Sequence, residues 1–154
     1  MPAARTALVI GGGVAGPVAA MALQKAGVAV SVHEARTDPD EDVGSFLTLQ
    51  VNGISALRAI DAGHVLADVG FPTSAMTFRS GTGKVLGEVS TGEPLPDGTV
   101  GITLKRADLH RVLREEARRR GIAFSNGKRL VDVSEAPEGI TAVFADGTTA
   151  TADV

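Results

Sequence analysis

At 154 residues, with 44% hydrophobic side chains, the chain has enough apolar material for the core of one domain. A net charge of −3, no run of five basic residues, and no Trp or Tyr argue against a nucleic-acid-binding surface. The absence of cysteine excludes disulfides, thiolate metal sites and cysteine nucleophiles, and is compatible with a reducing cytoplasm.

Residues 5–10 read as a buried strand, and 14–26 as a helix with Val14, Val18, Ala19, Ala22 and Leu23 at helical spacing and Pro17 in the tolerated first turn. Between them lies Gly11-Gly12-Gly13-Val14-Ala15-Gly16, a G-x-G-x-x-G turn. Gly11 allows the tight strand-to-helix reversal, Gly13 lets backbone approach a pyrophosphate, and Gly16 lets the helix pack closely. The helix N-terminus offers unpaired N–H groups and the positive end of its dipole to phosphate. Gly27 stops the helix, and a second strand over 28–33 delivers Glu34, twenty-one positions after Gly13. An acid there is placed to accept from a ribose 2′-hydroxyl. Its carboxylate would repel a 2′-phosphate, so NADP is disfavoured at this site while FAD and NAD both stay open. The glycines and Pro17 break the apolar stretch from Ala7 to Leu23, which therefore reads as neither signal peptide nor membrane span.

A polar, acidic loop follows over 35–46, then the apolar run Leu47-Thr48-Leu49 and a helix over 51–60 with Ile54, Leu57 and Ile60 on one face, ended by Gly63. Strand-like runs at 75–79, 85–89 and 100–104 read as an antiparallel insertion. Residues 106–120 form the next helix, with Leu109, Val112, Leu113 and Ala117 inward. On it Asp108, Glu115 and Glu116 read as solvated carboxylates, and Arg118, Arg119 and Arg120 as cations at the negative helix terminus. Gly121 caps it. Residues 122–124 read as a core strand, 129–133 and 139–144 as a strand pair, and Asp146-Gly147 as a two-residue hairpin turn before 149–154, where the sequence stops in mid-strand. His33, His64 and His110 show no metal-ligand spacing and read as structural or surface residues. No metal site and no nucleophile–base pair emerges, so no catalytic residue is assigned.

These motifs, in this order, resemble the FAD-dependent aromatic hydroxylases, the single-component flavin monooxygenases of the para-hydroxybenzoate hydroxylase type, in their N-terminal portion. The resemblance rests on Gly11-x-Gly13-x-x-Gly16, Glu34-Ala35-Arg36, the stretch from Gly44 through Gly53, Lys105-Arg106-Ala107-Asp108-Leu109, and the Gly139–Gly147 hairpin. It implies an α/β, three-layer, Rossmann-like FAD-binding βαβ fold. Residues 1–154 would be the N-terminal portion of the FAD-binding domain, with about 71–104 a β-rich insertion toward the substrate side. The C-terminal part of that fold, including a second Gly-Ala-Asp-Gly-like FAD fingerprint, is absent from the sequence.

The resemblance further implies that Gly11, Gly13, Ala15 and Gly16 lie along the FAD pyrophosphate, that Glu34 holds the adenosine ribose, and that Ala35 and Arg36 lie beside the adenosine half. Thr48 would sit toward the flavin, Arg106 would reach the pyrophosphate-ribitol region, and Leu130 would meet the adenine through its backbone. On the residues alone, Thr48 reads as an ordinary strand residue, Leu130 as core and Arg36 equally as a surface charge or a cofactor contact. The implied activity is NAD(P)H-dependent hydroxylation of an aromatic or related small molecule through a flavin C4a-hydroperoxide, with either nicotinamide as reductant. A complementary C-terminal polypeptide is the implied partner, and the cytoplasm the implied location. A non-catalytic FAD- or NAD-binding module, or part of a related flavin reductase or halogenase, is the alternative.

Overall fold

A computed structural model describes residues 5–38 and 44–154. The chain divides into two compact units, Met1–Asp42 with His110–Val154, and Val43–Leu109.

The first unit is built on a parallel βαβ crossover. Strand β1 (Thr6–Ile10) pairs in register with β2 (Ala29–His33), and β2 pairs with the short parallel strand β8 (Ala123–Ser125). Helix α1 (Ala15–Lys25) packs on β1 and β2. Its buried face is Gly16, Pro17, Ala20 and Met21, whereas Ala19 and Ala22 are exposed. The expected stripe is thus rotated onto a face where Met21 fills the core and Gly16 and Ala20 are small. Gly27, at φ +86°, closes α1 through bonds from its own N–H to Gln24 and from Val28 to Leu23, the paired pattern of a left-handed helix stop. Gly121 closes α3 (Arg106–Arg119) in the same way.

An antiparallel sheet of β9 (Leu130–Ala136), β10 (Gly139–Phe144) and β11 (Thr149–Ala152) completes this unit. The β10–β11 connection differs from the expected two-residue turn. Phe144 N–H reaches Thr148 O, and Gly147, at φ +80°, donates to Phe144 O, so three residues form the loop. A type I turn followed by a left-handed glycine matches strand twist as well as a two-residue turn does. Asp97-Gly98 and Thr82-Gly83 make the same arrangement in the other unit. Beyond Ala152 the chain leaves its hairpin for β1. Val154 takes N–H from Leu8 and gives its own to Thr6, while the Asp153 carboxylate accepts from the Arg5 and Thr6 amides. His33 stacks on Phe144 with ring centroids 4.9 Å apart, linking the parallel and antiparallel sheets.

In the second unit, β7 (Gly101–Lys105) runs antiparallel between β3 (Phe46–Leu49) and β4 (Phe71–Thr73). The run at 100–104 therefore pairs with these strands, while β5 (Ala75–Arg79) and β6 (Val85–Ser90) form a separate exposed hairpin. Helix α2 (Val51–Ala59) ends at Asp61, not at the expected Gly63. Asp61 adopts φ +59° and donates to Arg58 O, a left-handed stop that aspartate tolerates better than most residues.

Leu109, Leu113 and Ala117 are buried along α3 as expected, but Arg114 and Glu116 are buried with them. Glu116 is not solvated: Arg119 Nε and Arg120 Nε donate to its two oxygens at 2.7 and 2.8 Å. The Arg119 hydrogen bond foremost, with Arg120 assisting against burial, holds the Glu116 carboxyl at about 2. Glu116→Gln is expected to destabilise the chain by about 2 kcal/mol at neutral pH in urea titrations. The carboxyl is held below its ordinary 4.5, so this contribution is present above that pH and the gap to wild type closes as pH falls toward about 2. A gap independent of pH would rule out the ionic pairing as its source.

Candidate nucleotide site

The parallel register ends with Ile10 opposite His33, and Gly11 N–H extends it by bonding to His33 O at 2.8 Å. The next residue on each strand therefore lies at the same carboxyl edge, where ligands bind in open α/β sheets. On one strand that residue belongs to the glycine turn, and on the other it is Glu34.

Each glycine of the turn meets a different constraint. Gly11 has φ +103°, a conformation L side chains rarely adopt. A Cβ on Gly16 would sit 1.9 Å from Gly11 O, so the helix is packed against the turn itself. A Cβ on Gly13 would meet nothing within 4 Å, which leaves that side open to an approaching ligand. Gly12, to which the motif gives no role, would place its Cβ 3.1 Å from Glu34 Cβ. The Gly12 N–H instead donates to Glu34 Oε2 at 2.6 Å. At the other end, α1 starts with no side-chain cap and no acid in its first turn. No side chain of its own first turn therefore competes for its first N–H groups.

Glu34 is held from four directions. Its Oε1 accepts the Arg36 N–H at 2.8 Å, its own N–H goes to Ser125 O, and its carbonyl accepts from Lys128 N–H. Burial raises its pKa, but the Arg36 and Gly12 amides and the Arg114 and Arg36 charges outweigh this and hold it below the usual carboxylate value. An ionised carboxylate with spare lone pairs is an acceptor suited to a ribose diol. Arg114, only 1% exposed, donates from Nη2 to Asn126 Oδ1 at 2.8 Å and lies over the Phe124 ring. His110, one turn earlier on α3, places Nε2 2.7 Å from Gly12 O.

The remaining expected residues fall in two places. Ala35 and Arg36 line a surface cavity of about 290 Å³ with Thr37, Asp38 and Arg129, and Leu130 begins β9 immediately after Arg129. Thr48 and Arg106 belong to the second unit. Thr48 Oγ1 is 2.8 Å from Thr103 Oγ1, which also accepts from Thr73 Oγ1 at 2.7 Å, so three hydroxyls cross the β3–β7–β4 sheet. Arg106 opens α3, its N–H on Ser45 O and its side chain against Gly44. The part of the 35–46 loop at 39–43 lies outside the described residues. Among the described residues no His, Asp or Glu cluster has metal-binding geometry, and no helix is long and apolar enough to cross a membrane.

Residues 4–154 match the sequence profile of an FAD binding domain. The chain belongs to the FAD-dependent aromatic-hydroxylase family. It is 30% identical over 151 residues to the FAD-dependent urate hydroxylase of Klebsiella pneumoniae, covering 96% of this chain and 38% of that one. To the 3-amino-4-hydroxybenzoate 2-monooxygenase PtmB3 of Streptomyces platensis it is 33% identical over 149 residues, covering 95% and 37%. Klebsiella pneumoniae HpxO, solved with FAD and uric acid, superposes with a TM-score of 0.80 at 27% identity, over 97% of this chain and 37% of that one. The chain thus spans well under half the length of these relatives, and the fold is a partial one. FAD is its cofactor.

His110, Gly12 and Arg114 are the residues that sequence reasoning missed. His110 and Arg114 share the 110, 113, 114, 117 face with Leu113 and Ala117, so polar residues inside an apolar stripe were the available signal. The environments of Gly13 and Gly16 predict opposite outcomes for alanine. Gly16→Ala, forced into a backbone oxygen, should cost about 2 kcal/mol or more by thermal melts, whereas Gly13→Ala, facing open space, should stay within about 0.5 kcal/mol of wild type. Equal losses at both positions would contradict this geometry.

Proposed function

We propose that the chain is the adenosine-binding, N-terminal part of an NAD(P)H-dependent flavin monooxygenase acting on an aromatic or related small organic substrate. The observation that carries this reading is the Glu34 carboxylate, ionised and bonded to the glycine turn at the open edge of two adjacent parallel strands. In this reading Gly11, Gly13, Ala15 and Gly16 run along the FAD pyrophosphate, and Glu34 accepts from the adenosine ribose. The cavity beside Ala35, Arg36 and Arg129 takes the adenine end, with Leu130 meeting the ring through its backbone. Thr48 and Arg106, in the second unit, serve the flavin and pyrophosphate-ribitol end, where a permanently charged fork suits phosphate. Residues 71–104, a β-rich insertion, contribute to the substrate side in this reading.

Bound flavin supplies the redox and oxygen chemistry, taking reducing equivalents from a nicotinamide. This chain's residues bind and orient it, and none is assigned as an acid, base or nucleophile. Relatives named for urate and for 3-amino-4-hydroxybenzoate suggest a planar, ring-bearing substrate. The chain spans 38% of the urate hydroxylase; hydroxylation, in the cytoplasm, is proposed for the whole monooxygenase, whose remaining part is either a continuation of the chain or a complementary C-terminal polypeptide.

Flavin absorbance of the purified chain, and titration with FAD, FMN and ADP, test this reading. FAD and ADP should bind and FMN should not. Glu34→Ala should weaken both by about tenfold or more, the equivalent of a charge-assisted hydrogen bond. Gly13→Ala should lose FAD while keeping its fold. A chain that takes up neither FAD nor ADP, or in which Glu34→Ala binds as wild type, overturns the assignment. Substrate-dependent consumption of NAD(P)H and oxygen by this chain alone would overturn the need for a second polypeptide.

A further inference from the structure

We infer that His110 is a positioning residue that locks the peptide between Gly12 and Gly13, aiming the Gly13 N–H at the cofactor's pyrophosphate; the inference rests on the FAD reading of the turn. Two successive peptides in this turn are held by different groups. The Gly11–Gly12 peptide is held by Glu34, whose Oε2 accepts the Gly12 N–H at 2.6 Å. The Gly12–Gly13 peptide is held at its carbonyl, where Gly12 O lies 2.7 Å from His110 Nε2. A carbonyl oxygen only accepts, so Nε2 carries the proton and donates.

A trans peptide is planar, with its C=O and N–H pointing in opposite directions. The bond from His110 draws the Gly12 oxygen toward α3 and therefore turns the Gly13 N–H to the opposite side. That is the donor which, in a glycine-rich turn, faces a phosphate.

The lock matters because glycine flanks this peptide on both sides. With no Cβ on either neighbour, both orientations of the plane are sterically accessible, and a Cβ at Gly13 would itself meet only open space. In the flipped orientation a carbonyl oxygen would face the anion, exchanging an attractive dipole for a repulsive one. Glu34 cannot prevent this, since it acts on the preceding peptide. His110 is held firmly enough to do so, because Leu109 and Leu113, 2% and 1% exposed, pin its helix on either side of it.

The test compares His110→Ala and His110→Gln in the full chain, glutamine placing an amide N–H near the position of Nε2. Affinities for ADP, which has the pyrophosphate, and adenosine, which has only the ribose and base, are measured by calorimetry. His110→Ala should lose about tenfold in ADP affinity with adenosine affinity unchanged, and His110→Gln should recover most of it. A residue that merely supports the fold would weaken both ligands alike and would not be rescued by glutamine, and either result overturns the inference. A second measurement needs no nucleotide. In ¹⁵N-resolved NMR spectra of the ligand-free chain, His110→Ala should shift or broaden the Gly13 amide resonance while the Gly12 amide, still bonded to Glu34, stays in place. An unmoved Gly13 resonance overturns the role of His110. Failure of the wild-type chain to bind ADP overturns the FAD reading, and the amide spectrum then still decides whether His110 fixes the peptide.

Discussion

The bond between the Gly12 amide and the Glu34 carboxylate is the constraint on which the first unit turns. It forms only if β1 and β2 end together, which the in-register parallel pairing from Thr6↔Ala29 to Ile10↔His33 secures. Glycine at position 12 suits it, because a Cβ there would lie 3.1 Å from Glu34 Cβ and press on that side chain. Beyond it, α1 packs so closely on the turn that position 16 must be glycine as well. The ligand-free fold therefore demands glycine at positions 11 and 16 and favours it at 12. Gly13 is the exception, since a Cβ there would meet only open space.

Electrostatics supports the same bond. A half-buried carboxylate would ordinarily resist ionisation, and burial does raise the pKa of Glu34. Two backbone amides and two guanidiniums reverse that effect. One of these cations, Arg114, lies beneath the surface, where its charge is screened less than that of a solvated arginine. Its hydrogen bond to Asn126 ties it to the 125–128 segment, whose Ser125 carbonyl and Lys128 amide hold the Glu34 backbone. The carboxylate and the charge that favours it are thus fixed by the same short stretch of chain.

Local pattern carried the sequence reading a long way in this unit. The glycine turn, both flanking strands, Glu34 and α3 are set by short-range periodicity and by glycine chemistry, and all appear where residue order implies. What escaped it has physical causes. The pairing of Phe46–Leu49 with 102–105 joins segments more than fifty residues apart, and nothing in either run names its partner. Asp61 ended α2 because its backbone tolerates the left-handed region, a preference weaker than that of nearby Gly63. The Asp-Gly turn gained a third residue because two hairpin geometries accept the same dipeptide. Glu116 reads as solvated in sequence because a charge on an amphipathic helix usually is. Its pairing depends on the two arginines one turn later, and an isolated count of charges does not register that. At the site, the sequence motif named Gly11, Gly13, Gly16 and Glu34, but His110 depends on a helix some hundred residues away folding against the turn.

Helix α3 shows why that last contact was hidden. Arg106, His110 and Arg114 follow one another at intervals of four, a single row along the helix, while Leu109, Leu113 and Ala117 form the adjacent row that is buried. An apolar row seats the helix, and the neighbouring row is carried to whatever the seat faces. In the first unit that row meets the glycine turn through His110 and the Glu34 charge through Arg114. Hydrophobic periodicity locates the seat, and His110 and Arg114 register in it only as polar residues at the edge of the apolar stripe. The division of labour is still physical: packing of Leu109 and Leu113 supplies the rigidity that a single imidazole hydrogen bond needs in order to hold one peptide against its mirror orientation.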